Sequence, residues 1–118
     1  MIAQGLKVRG LHENKKQAEK AKNLGAEVII GNINDSAITK KACQGVDVVK
    51  HTHELAKEGG EIKEFRQVNV NGTINIAKAA KKADIKTFIH ISNALVYGFN
   101  YPELATENST GCVLQHQA

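Results

Sequence analysis

The side chains able to do chemistry fall at four places in this 118-residue chain. Glu13 follows a short apolar run at 7–11. Asn32 and Ile33 follow a second at 27–30. His51, Thr52 and His53 follow a third at 46–49. Ser92, Asn93 and Tyr97 follow a fourth at 86–91. Each run reads as a strand, and the last as a buried parallel one. These groups therefore stand just past strand carboxyl ends, the edge where open α/β sheets bind ligands. Phenol, imidazole and carboxylate can move protons, but a tyrosine near pKa ~10 is a poor donor without a neighbouring cation. His51, His53 and His90 could in principle gather as metal ligands. Side chains alternate along a strand, however, and no carboxylate or cysteine is paired with them, so no metal is expected. Cys43 and Cys112 lack metal or redox spacing, which suits a reducing, cytoplasmic setting.

Other function classes are excluded on composition. The net charge of +4 is spread over helix faces, as Lys15, Lys16, Lys20 and Lys22 and then Lys78, Lys81 and Lys82. That pattern is a solvated surface. With three Phe, two Tyr and no Trp, stacking platforms for nucleic acid are scarce. No signal peptide or membrane-length apolar run is visible, so neither nucleic acid nor membrane is an expected partner.

The elements that must position these groups can be read in order. Residues 1–6 read as the last turn of a helix closed by Gly5. After the strand at 7–11, Asn14 caps a helix, with Gln17 as capping-box partner; Ala18, Ala21 and Leu24 form its apolar stripe and Gly25 ends it. The strand at 27–30 turns through Gly31 to Asn34. Asn34 or Asp35 caps a short helix to Ala42, ended by Gly45. The strand at 46–49 leads to a loop at 54–62 containing Gly59 and Gly60. A long helix is expected over 63–83, with Phe65, Val68, Gly72, Ile76 and Ala80 on one face. Gly72 inside it costs ~1 kcal/mol against Ala, which close approach of the helix backbone to the sheet would justify. The strand at 86–91 follows, and 99–118 is expected to be an irregular tail. Strands alternating with helices imply a parallel sheet with right-handed crossovers.

In this order, four stretches become informative together: Gly25-Ala-Glu-Val-Ile-Ile-Gly-Asn-Ile-Asn-Asp35, Gly45-Val-Asp-Val-Val-Lys-His51, Val68-Asn-Val-Asn-Gly-Thr-Ile-Asn75 and Ser92-Asn-Ala-Leu-Val-Tyr-Gly98. The last resembles the Ser-(Ser/Thr)-x-x-Val-Tyr-Gly segment of extended short-chain dehydrogenases/reductases, the NAD-dependent epimerase/dehydratase family. The third is similar to that family's Val-Asn-Val-x-Gly-Thr-x-Asn helix. The resemblance covers about 2–98. It implies a doubly wound, Rossmann-like nucleotide-binding fold over 1–98 that lacks its first strand. It further implies NAD(P)-dependent chemistry on a nucleotide sugar or related alcohol or carbonyl compound, and allows a homodimer.

The resemblance also implies roles. Glu13 would accept hydrogen bonds from both adenosine ribose hydroxyls and repel a 2′-phosphate, favouring NAD over NADP. Asn32 and Ile33 match the pair that holds the adenine amino group and packs on its ring. His51, Thr52 and His53 would line the cofactor cleft, with His53 replacing a small residue. Asn69 resembles the helix asparagine that helps fix the active edge; Ser92 matches the structural serine before the catalytic position, and it and Ile91 are expected to bind the cofactor. Three departures stand beside the matches. No glycine-rich phosphate loop occurs. Asn93 stands in place of the catalytic Ser or Thr. Neither Tyr97 nor Tyr101 has a Lys four residues on. The expectation is thus a partial cofactor-binding domain, inactive alone; the alternative is a non-catalytic nucleotide- or partner-binding module. The family's first strand would lie between the strands at 7–11 and 46–49, which must either close up or leave unpaired edges.

Overall fold

The computed structural model describes residues 2–52, 60–91, 106 and 108. His53, most of the expected loop at 54–62, Ser92 to Gly98 and nearly all of the tail lie outside the described residues. A 3₁₀ turn, Ile2–Gln4, opens the chain. It is closed by Gly5 at φ 79°, whose N–H donates to Ile2 O. The order is then β1 (Arg9–His12), α1 (Lys15–Asn23), β2 (Glu27–Ile30), α2 (Ser36–Cys43), β3 (Val48–His51), α3 (Ile62–Phe65), α4 (Gly72–Lys82) and β4 (Thr87–His90), with a π-helical segment, Arg66–Asn71, joining α3 to α4.

Local chemistry explains most boundaries. Asn14 Oδ1 caps α1 by accepting from Lys16 N–H at 2.8 Å, two residues on. Asp35 caps α2, accepting from Ala37 and Ile38 N–H. α1 ends in a Schellman turn: Ala26 N–H donates to Ala21 O around Gly25 at φ 95°. α4 ends the same way, with Ile85 N–H donating to Ala80 O, but here the left-handed position is Asp84, at φ 58°. Two strands sit later than expected. β1 begins at Arg9, and β3 begins at Val48, because Gly45 (φ 69°) and the bend at Asp47 delay pairing until Val48 meets Thr87. His51 is consequently the last residue of β3 rather than a residue beyond it. The expected long helix is helical from Ile62 to Lys82, but its middle is π-wound, with Gly72 N–H reaching back to Gln67 O.

The strands are parallel and form two pairs, β1 with β2 and β3 with β4. Between β1 and β3 no pairing occurs among the described residues, so the edges are left open rather than closed up. The hydrogen bonds identify those edges. Val8 and His12 carbonyls accept from Glu27 and Gly31 N–H. By alternation, Arg9 and Leu11 turn their backbone groups away from β2. His51 O accepts from Ile91 N–H, so Val48 and Lys50 turn theirs away from β4.

The core lies between α2, α4 and β3–β4. Cys43, Ile76 and Ala80 are buried, with Ile33, Val49, Ala79, Ile85 and Phe88 packed on them. The opposite face of β3–β4 carries exposed Val48, Ile89 and Ile91. Gly72 does permit a close approach, but to a loop rather than to a strand. A Cβ there would lie 2.8 Å from Ile33 Cγ2, in the turn after β2.

Candidate functional site

The strand carboxyl ends bring the expected residues to one edge in two groups. In the first, Glu13 follows β1 and Asn32 follows β2, and the parallel register His12↔Ile30 makes them neighbours. Asn32 Nδ2 donates to Glu13 Oε1 at 3.3 Å, while Asn32 Oδ1 accepts from Asn34 N–H at 2.8 Å. The second bond fixes which amide atom is oxygen, since a backbone N–H requires an acceptor. Both side chains are exposed. Glu13 also borders an open cleft of about 440 Å³, together with Leu11, His12, Asn14 and Gln17. His12 folds back over Gly10, where a Cβ would meet its Nε2 at 2.5 Å.

Ile33 is turned the other way. Its side chain packs on the core and against Gly72, and its carbonyl accepts from Asn75 Nδ2. Asn75 was not singled out from the sequence, yet it fastens this loop to α4. It also accepts from Ser36 Oγ at 3.3 Å and reaches Thr39 Oγ1 at 3.4 Å. Its signal was the final asparagine of the Val-Asn-Val-Asn-Gly-Thr-Ile-Asn stretch.

The second group gathers at β3 and β4. His51 is 5 % exposed. Its ring stacks on His90 with centroids 5.5 Å apart and planes at 19°, and it tilts against Phe88 at 6.4 Å. Its Nε2 lies 2.9 Å from Thr73 Oγ1, a residue the sequence reading passed over. Thr73 Oγ1 in turn donates to Asn69 O at 2.7 Å, inside the π segment. Asn69 is half-buried, while Thr52 and Ile91 are exposed; Ile91 N–H donates to His51 O. Stacked parallel rings do not converge on a common ion as ligands do. Among the described residues no cluster of His, Cys, Asp or Glu could hold a metal. Nor is any described helix long and apolar enough to cross a membrane.

The core cysteine adds one electrostatic feature. Burial pushes the Cys43 thiol pKa up, partly offset by the nearby Arg9 guanidinium. Arg9 Nη1 donates to the carbonyls of Ala42, at 3.1 Å, and Gln44, at the end of α2. Its Nε lies 3.1 Å from Glu27 Oε2, close enough for charge attraction but without hydrogen-bond geometry.

The arrangement of parallel strands and helices has counterparts among known proteins. Residues 2–110 match the 3-beta hydroxysteroid dehydrogenase/isomerase family. The chain belongs to that family. It is 31 % identical over 109 residues to a 4-hydroxy-2-methyl-3-oxo-4-farnesyl-3,4-dihydroquinoline-1-oxide ketoreductase of Stigmatella aurantiaca, covering 92 % of this chain and 33 % of the relative. Over 80 residues it is 35 % identical to a 3 beta-hydroxysteroid dehydrogenase/Delta 5→4-isomerase of Mycobacterium tuberculosis, covering 61 % and 22 %. Among solved structures, a short-chain dehydrogenase/reductase superfamily protein from Agrobacterium tumefaciens with bound NAD superposes with a TM-score of 0.82. Its identity is 27 %, and the match covers 98 % of this chain and 34 % of that one. A UDP-glucose-4-epimerase from Stenotrophomonas maltophila with bound NAD gives a TM-score of 0.83 at 20 % identity, covering 98 % and 38 %, a likeness of fold alone. The chain thus spans between 22 % and 38 % of the length of these proteins. The doubly wound nucleotide-binding fold and the extended short-chain dehydrogenase/reductase assignment both stand on these matches.

Proposed function

We propose that this chain forms the adenosine-holding part of an NAD-dependent oxidoreductase or epimerase, and that it does no chemistry by itself. The observation that carries the reading is the Glu13–Asn32 contact at the joined ends of β1 and β2. A carboxylate at a strand end can accept from two vicinal ribose hydroxyls and repels a 2′-phosphate, which favours NAD over NADP. The second lone pair of Asn32 Oδ1 is the group an adenine amino would use. In this reading His51, Thr52, Asn69 and Ile91 border the rest of the cofactor, the resemblance implies the same role for His53 and Ser92, and Ile33 holds the loop in place from beneath. The ketoreductase and hydroxysteroid dehydrogenase relatives support a secondary alcohol or ketone as the substrate of the whole protein, with a nucleotide sugar as the other member of that class.

The chain itself provides no route for the proton. Hydride transfer at a carbonyl needs a donor at the oxygen with a pKa near working pH. Neither tyrosine has a lysine four residues on, and the amide of Asn93 cannot relay a proton as a hydroxyl does. The test is calorimetric titration of NAD and NADP into the chain extended ahead of residue 1 by a strand and a glycine-rich loop. NAD should bind more tightly, and Glu13→Gln should narrow the preference. Equal or tighter NADP binding by the parent would sink the reading. Turnover of secondary alcohols or sugar nucleotides by the unextended chain, abolished in Tyr97→Phe, would overturn the predicted inactivity.

A further inference from the structure

The bonds around His51 have a direction that the distances alone do not state. A carbonyl oxygen has no hydrogen, so the 2.7 Å contact between Thr73 Oγ1 and Asn69 O uses the single hydroxyl proton of Thr73. Toward His51 the same oxygen can then only accept. The 2.9 Å contact therefore requires the proton on His51 Nε2. From this chain of donors we infer that Thr73 is a positioning residue for the strand-end edge: its hydroxyl holds the buried His51 ring as the Nε2–H tautomer.

Three elements meet in this arrangement. Asn69 belongs to the π segment, where Gly72 N–H bonds five residues back to Gln67 O. Thr73 stands one residue further on, in the first turn of α4, four residues after Asn69. π turns inside helices are found frequently at functional sites, and here the wide turn precedes the hydroxyl that meets the histidine. His51 ends β3, pairs in register with His90, and stacks on its ring. Fixing the His51 ring thereby fixes the face against which His90 lies, at the carboxyl ends of two neighbouring strands. The ring is 5 % exposed, so water is a poor substitute for the threonine. A proton held on Nε2 leaves Nδ1 as the other hydrogen-bonding atom of the ring. This inference rests on the bonding pattern and goes beyond the cofactor reading. It would stand even if the chain bound no dinucleotide.

The experiment is nitrogen-resolved NMR of histidine rings in the full chain, with His51 assigned by its loss in His51→Gln. Wild type should show a protonated Nε2 for His51. Thr73→Ser keeps the hydroxyl and should retain that pattern, whereas Thr73→Val should mix the tautomers, with a new Nδ1–H population. An Nδ1–H tautomer in wild type, or a Thr73→Val pattern identical to wild type, overturns the proposal. If Thr73→Val does not fold, wild type and Thr73→Ser still decide: both must show Nε2–H, and a Thr73→Ser ring that switches tautomer counts against it.

Discussion

The β1–β2 pair and the β3–β4 pair have the same parallel geometry, yet they present opposite kinds of edge. At the end of β1–β2 the polar groups are exposed: Glu13 and Asn32 touch each other, and Glu13 borders the open cleft. At the end of β3–β4 the central group is buried: His51 lies under α4, stacked and hydrogen-bonded. The cause is the helix layer. α4 lays Ile76 and Ala80 near Val49 and Phe88, whereas α1 offers β1 and β2 little more than Ala18. An exposed carboxylate and amide can exchange water for a ligand cheaply. A buried imidazole, stacked and hydrogen-bonded, cannot, and it is suited to shape an edge rather than to seize a ligand.

The comparison can be broken most strongly by joining the two pairs. A strand supplied ahead of residue 1 should pair with the open edges at Arg9, Leu11, Val48 and Lys50. Each apolar side chain it fully buries contributes about 1.5–3 kcal/mol, so stability should rise by several kcal/mol even after ordering costs. A thermal melt no sharper or higher than that of the parent would show that the edges are not receptive. Next, Ile76→Ala should cost about 2–5 kcal/mol by opening a cavity under β3–β4. Amide exchange should then quicken in β3 and β4 before β1 and β2; equal loss in both pairs would mean they unfold as one unit.

A smaller effect is expected at the residue that ties β1 to the end of α2. Arg9→Met keeps the stem but removes the bonds to Ala42 and Gln44, and hydrogen bonds from a charged group are worth about 1.5–3 kcal/mol. A denaturant midpoint unchanged from the parent would discount that link. The smallest effect is in pH. The folded Cys43 thiol pKa is raised, so from about pH 8.5 upward the unfolded chain binds fewer protons than the folded one. Stability should therefore fall as pH climbs through the alkaline range, and Cys43 should alkylate more slowly in the folded state than in urea. In Arg9→Met the lowering influence of the guanidinium is gone, and alkylation of the folded protein should slow further. Equal rates in folded and unfolded chain would contradict the burial.

Legibility followed distance along the chain. Asn14, Gly25, Asp35 and Gly45 announced helix ends because a cap is a contact between near neighbours. The strand at 27–30 was read to the residue, its ends marked by Gly25 and Gly31. The starts of β1 and β3 were misplaced because a strand's first residue is set by its partner: Val48 begins β3 only where Thr87 lies beside it. The π turn carried no local mark, and Asp84 occupies a left-handed cap where glycine would have been the visible signal. At the edge, Glu13 and Asn32 were foreseen as strand-end residues, and the structure brings them into contact. Thr73 and Asn75 were not foreseen, since the partners that give them their roles, His51 and Ile33, lie on other elements.

The sequence by itself determined the alternation of strands and helices, and with it a parallel sheet whose polar groups gather at one edge. Hydrophobic period, caps and turn residues act over a few positions, and they are sufficient for that. Only the tertiary structure decided that the strands form two separate pairs, that Gly72 makes room for Ile33, and that His51 finds Thr73. Those contacts join residues 39 and 22 positions apart, and Asn75 reaches Ile33 across 42. A side chain's partner at such separations is chosen by packing of whole elements, where a buried donor must be met by whichever acceptor the fold brings within reach.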